Sequence, residues 1–177
     1  MTANQSNPQN SFKLSARSSE RLAGVHKDLA RVVRRALQLS AIDFTVLEGR
    51  RSIERQTQLY ESGATRTLNS RHLSGHAVDL GAWVGGGVRW DWPLYETINQ
   101  AMQLAATEQC VPVEWGGDWK NFKDGPHFQL PWDTYPILRQ AQDEEIQNEG
   151  ANQTPHGEPV EPCPSSILRQ AQDEGTE

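Results

Sequence analysis

Between residues 72 and 79 the chain sets His72, His76 and Asp79 close together, although it has only five histidines in 177 residues. Imidazole nitrogens and carboxylate oxygens are the ligands a divalent metal takes when thiolates are not on offer. A second group lies downstream in "DGPHFQL", where Asp124 precedes His127 across a Gly-Pro turn. The period of two in a strand sorts these residues. In "HAVDL", Val78 and Leu80 make a core face, so Ala77 and Asp79 point the other way. His72 falls in the preceding loop, and Gly75 frees the backbone to curl it back toward Asp79. His76 shares the parity of Val78 and Leu80 and reads as structural. In "HFQL", Phe128 and Leu130 take the core face while His127 and Gln129 face away. His72, Asp79 and His127 then supply the three protein ligands of a catalytic zinc that keeps its fourth position for water. Asp124 remains as an unliganded acid able to deprotonate that water and protonate a leaving amine. Spacing by itself is weak ground, since single histidines are usually satisfied loop or core residues.

These residues need elements to hold them. Leu29, Val32, Val33, Ala36 and Leu37 recur at helical spacing after Asp28, with Arg31, Arg34 and Arg35 on the opposite face. "IDFTVLEG" predicts a strand of about five residues ended by Gly49. A helix then follows from an N-cap at Ser52, with Ile53, Gln56 and Tyr60 on one face and Gly63 past its end. "GGG" at 85–87 predicts a turn, and a helix starting near Pro93 has Leu94, Ile98, Met102 and Ala105 as its inner stripe. "VPVEWGG" and "PHFQLP" read as two more short strands. Helices and short strands without regular βαβ alternation predict an α+β domain with a small antiparallel sheet.

Composition narrows the class further. At 36% hydrophobic and 23% charged residues the chain is globular, and no stretch reaches the length of a membrane span or a secretory leader. A protein made in the cytoplasm is expected. Cys110 and Cys163 fit neither a disulfide scaffold nor a zinc finger and read as reduced thiols, Cys110 packed at a helix end. The net charge of −6 is uneven: residues 1–140 carry 16 basic and 14 acidic residues, and residues 141–177 carry 1 and 9. From Lys13 to Arg35 seven basic residues face only Glu20 and Asp28. A solvated helix face explains that run, with attraction to an anionic envelope as the functional alternative. Three segments are expected: a flexible lead-in at 1–11, one domain at 12–144, and a mostly disordered acidic tail at 145–177. "ILRQAQDE" occurs at 137–144 and again at 167–174, the first copy expected to end a terminal helix. His26 and His156 have no evident partner and read as exposed. Trp115 and Trp119 could line a peptide or glycan groove, although aromatic residues more often fill cores.

"SRHLSGHAVD" resembles the Ser-x-His-x-x-Gly-x-Ala-x-Asp motif, and "EWGGDWKNFKDGPHFQL" the downstream Asp-x-x-His motif, of the zinc peptidases that include D-alanyl-D-alanine carboxypeptidases and L-alanyl-D-glutamate endopeptidases (peptidase family M15). With "EGRRSIERQ" and "WGGDW", the likeness is greatest to the phage endolysin branch and covers about residues 18–135. It implies a Hedgehog/DD-peptidase-like fold, one Zn²⁺ held by His72, Asp79 and His127, and Asp124 as general base and acid. Arg51, adjacent to Arg50 in "GRRS", matches the arginine that steadies the substrate carbonyl and developing oxyanion. Ser70 is implied beside the ligands or the substrate, and Trp115 is grouped with it. The activity implied is hydrolysis of the L-alanyl-D-glutamate bond of the peptidoglycan stem peptide for host lysis. A D-alanyl-D-alanine carboxypeptidase and a non-catalytic zinc-holding binding module are the rivals. No nucleic-acid partner and no stable membrane insertion are expected; the chain would act as a monomer in the periplasm or wall after a holin-type lesion.

Overall fold

The apolar stripe after Asp28 decides where the main helices go. In the structure, a computed structural model describing residues 12–137, Leu29, Val32, Val33, Ala36 and Leu37 of helix α2 (Lys27–Leu39) are buried. They meet Ile98, Met102 and Ala105 of helix α4 (Trp92–Gln109), joined there by Tyr95 and Ala101. Each fully buried Leu, Ile or Met contributes about 1.5–3 kcal/mol, so this helix pair is a large part of the driving force. Helix α1 (Ala16–Leu22) precedes α2 and packs on the first strand. Helix α3 (Ile53–Glu61) starts at Ser52, whose hydroxyl accepts the Arg55 N–H at 3.2 Å. Ile53 and Tyr60 of α3 are exposed and only Gln56 is buried, so the face that the spacing picked out covers no core.

Five strands form one antiparallel sheet: β1 (Phe44–Glu48), β2 (Ala77–Val84), β3 (Gly87–Arg89), β4 (Glu114–Trp115) and β5 (His127–Gln129). Their order is β1-β2-β5-β4, with β3 hairpinned onto β2. The glycine turn at 85–86 leads into β3, a strand too short and glycine-initiated to be legible. The α+β architecture with helices flanking a small antiparallel sheet is as expected. Val46, Val78, Leu80 and Phe128 form the core face. On the other face the register sets Asp79 opposite His127, and Ala77 opposite Gln129. An irregularity after Val46 brings Glu48 opposite Asp79, so Glu48, Asp79 and His127 stand in one row across three strands. Bulges of this kind re-aim a side chain at a site.

Two positions depart from the sequence reading. Cys110 is the left-handed C-cap of α4 (φ 53°) and is solvent-exposed rather than packed. His26 is half-buried: it caps α2 by accepting the Asp28 N–H, and its ring lies 4.9 Å from that of His76 and 5.2 Å from that of Tyr135. The lead-in 1–11, the tail 145–177, Cys163, His156 and both "ILRQAQDE" copies apart from Ile137 lie outside the described residues.

Gly49 closes β1 where the backbone of α1 crosses it. A Cβ there would stand 2.0 Å from the Arg21 carbonyl oxygen and 2.9 Å from a Val25 methyl. Gly49→Ala should therefore destabilise by about 1–3 kcal/mol, the range of overpacked sites. Gly87→Ala, where nothing lies within 4 Å, should stay within about 0.5 kcal/mol of the parent. Thermal melts of both variants check this; equal midpoints would show that α1 simply shifts away.

Candidate metal centre and active site

His72, Asp79 and His127 arrive from a loop, from β2 and from β5. Asp79 Oδ1 lies 3.3 Å from His72 Nε2 and 3.2 Å from His127 Nδ1, and the two ring nitrogens are 3.3 Å apart. Among the described residues this is the one group of His, Cys, Asp or Glu that could hold a metal. The surroundings decide which ring atoms carry protons. His72 Nδ1 donates to the Gly49 carbonyl at 2.7 Å, which leaves Nε2 with its lone pair. On the other ring, His127 Nε2 faces Gln129 Oε1 at 3.0 Å, and Gln129 is turned that way because its amide nitrogen donates to Glu114 at 2.7 Å. His127 Nδ1 is thereby the free lone pair. Two imidazole lone pairs and a carboxylate oxygen thus converge with no donor among them, which suits a divalent cation. Ligand atoms about 2.0–2.2 Å from a tetrahedral ion stand about 3.3 Å apart, and the observed triangle matches this.

The loop that delivers His72 is tightly tied. Gly75 adopts φ +73°, a conformation that side chains disfavour, and a Cβ on it would meet the Gly24 carbonyl oxygen at 2.3 Å. Ser70 Oγ accepts the His72 N–H at 3.3 Å, and the Arg51 N–H donates to the His72 carbonyl at 3.0 Å. Buried Arg71 reaches across to the carbonyls of Leu130, Pro131 and Tyr135, fastening the chain after β5 beside the site. His76 keeps to a structural place, its Nδ1 donating to the Ser74 carbonyl at 3.0 Å.

Charge is arranged unequally around the triangle. Burial alone would raise the Asp79 carboxyl, but the imidazoles of His127 and His72 set against it hold it well below the carboxylate range. Asp124 goes the other way: burial, then the negative charge of Asp79, raise it against the pull of His127, His72 and Arg51. Two carboxylates in one site are therefore shifted in opposite directions. Tyr95 is pushed up to about 12 by burial and by Asp124 and Asp79, so it stays protonated and is no base.

Arg51, and not Arg50, enters the site. Its guanidinium pairs with Glu48, donates to Gln56 Oε1 at 2.7 Å and lies 3.5 Å from Asp79 Oδ2, while its Nε is buried without a partner. Arg50 is exposed and lines the groove beside α1. Two grooves meet at Glu48, Asp79 and Asp124: one of about 800 Å³ beside α1, the other of about 510 Å³ under the loop from Leu59 to Ser70. Trp119 lines the second groove with its ring 5.0 Å from that of His127. Trp115 does not line it. It is buried against Phe128 and donates its Nε1 to the Gly125 carbonyl at 2.7 Å, bracing the turn before His127. Glu48, Gln56, Gln129 and Glu114 belong to the site and were not singled out in the sequence; Gln129 alone gave a signal, through its parity with His127.

Gln129→Leu removes the acceptor that fixes the His127 tautomer without touching a ligand. Loss of such a partner costs about 10–100-fold in metal affinity. Competition with a chromogenic chelator should show that weakening, while His72→Ala, Asp79→Ala and His127→Ala lose the ion outright. Parent affinity in Gln129→Leu would mean that Gln129 does not orient His127.

Comparison with known proteins agrees with this geometry. Residues 10–130 match the family described as phage L-alanyl-D-glutamate peptidase. The L-alanyl-D-glutamate peptidase of Escherichia phage T5 is 31% identical over 129 residues, covering 71% of this chain and 93% of that one. The peptidoglycan L-alanyl-D-glutamate endopeptidase CwlK of Bacillus subtilis is 31% identical over 117 residues, 59% of this chain and 70% of its own. The crystal structure of the Serratia marcescens L-Ala D-Glu endopeptidase ChiX is 50% identical, with a TM-score of 0.68 over 73% of this chain and 98% of that one. By sequence and by fold alike, the chain belongs to the phage L-alanyl-D-glutamate peptidase family.

Proposed function

We propose that this protein is a zinc-dependent endopeptidase that cuts the L-alanyl-D-glutamate bond of peptidoglycan stem peptides in phage lysis. The observation that carries the reading is one edge of one site: three converging lone pairs, with the unliganded Asp124 and the guanidinium of Arg51 beside them. The relatives named for this bond support the choice of substrate. His72 Nε2, Asp79 Oδ1 and His127 Nδ1 would hold the zinc, which when bound supplies the Lewis acidity that polarises a carbonyl and acidifies water.

The chain's own groups do the rest. Asp124, kept basic by its buried position beside Asp79, takes a proton from the attacking water. The new C–O bond forms as negative charge builds on the former carbonyl oxygen, and Arg51 opposes that charge. When the C–N bond breaks, Asp124 returns its proton to the leaving amine, so the carboxylate is regenerated. Glu48 and Gln56 hold the Arg51 fork in place for this role. Among the described residues no helix is long and apolar enough to cross a membrane, and the reading has the enzyme acting as a monomer on the wall once a phage holin has opened the membrane.

Asp124→Asn is the decisive variant. It should keep its metal and its thermal midpoint while turnover of a defined stem peptide falls by about 10²–10⁴-fold, the usual contribution of an acid-base group. Mass analysis of the parent's products shows which bond breaks. Release of terminal D-Ala alone would make the enzyme a D,D-carboxypeptidase. Zinc binding with no cleavage by the parent would make it a binding module.

A further inference from the structure

The larger groove raises a question that the peptidase reading leaves open. Its walls carry Arg17 and Arg21 from α1, Arg50 from the loop after β1, and Arg55 from α3. Arg21 is held by donating to the Val46 carbonyl at 2.6 Å. Arg17, Arg50 and Arg55 have no ion-pair or hydrogen-bond partner for their side chains among the described residues. Arg50 is nonetheless placed, because its stem crosses Gly24, where a Cβ would come within 2.9 Å of the Arg50 Cβ. Of the carboxylates in this groove, Glu48 and Asp79 are engaged by Arg51 and the histidines, which leaves Glu20 and the catalytic Asp124. Exposed Trp90 stands on the same groove as an apolar wall.

The smaller groove has another character. Leu59, Trp119, Phe122, Thr67 and Asn69 line it, its Arg71 is spent on backbone carbonyls, and its Arg66 lies over the Phe122 ring at 4.7 Å. Both grooves open on Asp79 and Asp124, so a peptide cut there must run from one into the other. The two sides of the bond differ in charge. On one side is an alanine with only a methyl group. Across the bond, a glutamate using one carboxyl for its onward link keeps the other free, on the fragment that leaves with the new amine.

We infer that the arginine-lined groove between α1 and the β1–α3 loop is the subsite for the acidic, D-glutamyl side of the substrate, with Arg17, Arg50 and Arg55 receiving its free carboxylate. This rests on the peptidase reading above and adds the direction in which the peptide lies. Guanidinium pairs with a carboxylate through charge-assisted, often bidentate bonds, whereas a neutral amide in the same place loses the charge term. The groove thereby selects a free glutamyl acid over its amidated form.

The test uses two stem peptides that differ only in that group, one with D-glutamate and one with D-isoglutamine. The parent should prefer the acid by about tenfold or more in kcat/KM, the worth of one charge-assisted hydrogen bond. The Arg17→Gln, Arg50→Gln, Arg55→Gln triple variant should lose about that factor on the acid and less than about twofold on the amide, so that the preference collapses. Unchanged metal content and thermal midpoint exclude a folding effect. A parent that cuts both equally, or a variant that loses equally on both, overturns the assignment. Calorimetric binding of the free γ-D-glutamyl fragment needs no turnover and separates the two readings. Arginine-dependent binding without cleavage would keep the subsite and remove the peptidase; no binding and no cleavage would remove both.

Discussion

The hydrogen bond from His72 Nδ1 to the Gly49 carbonyl ties the fold to the chemistry. It leaves the opposite ring nitrogen free for a metal, and it does so from backbone that has little room to move. Gly49 lies against the Arg21 carbonyl, Gly75 lies against that of Gly24, and the Arg51 amide returns to the His72 carbonyl. The end of α1, the end of β1 and the ligand loop therefore share one rigid junction. A small displacement of any of them would turn the imidazole, and a metal ligand tolerates only slight misalignment.

Much of this was legible in the sequence for a local reason. Alternation in "HAVDL" and "HFQL" separates Asp79, His127 and Gln129 from the buried Val78, Leu80 and Phe128, and strand parity survives folding because it is a property of the backbone. Ser52 was legible as an N-cap because capping is decided within one turn. What escaped was set by tertiary contacts. The irregularity after Val46 carries Glu48 into the row of Asp79, and no property of "FTVLE" announces it. Arginine is mostly an exposed residue type, yet Arg71 is 2% exposed, because backbone carbonyls of a segment some sixty residues away satisfy it. Trp115 could have lined a groove or, as aromatic residues more often do, filled the core, and Phe128 and the Gly125 carbonyl decide for the core.

The basic run of α1 and α2 shows the same limit in charge. Arg31 and Arg35 pair with Asp28 and Glu108, as a solvated helix face would. Arg17 and Arg21, one turn apart on α1, instead wall the groove that ends at Asp124. Periodicity tells which residues share a face, and only the packing of α1 on β1 tells what that face looks onto.

The unpartnered Nε of Arg51 has a meaning for how such a protein can be improved. A buried donor without an acceptor costs about 1–3 kcal/mol, a cost set against the pairing of the same guanidinium with Glu48, Gln56 and Asp79. An uncharged side chain there would remove that cost but leave the Glu48 and Asp79 carboxylates without their cation, which is the more expensive defect. A sturdier enzyme would therefore have to gain its stability away from position 51.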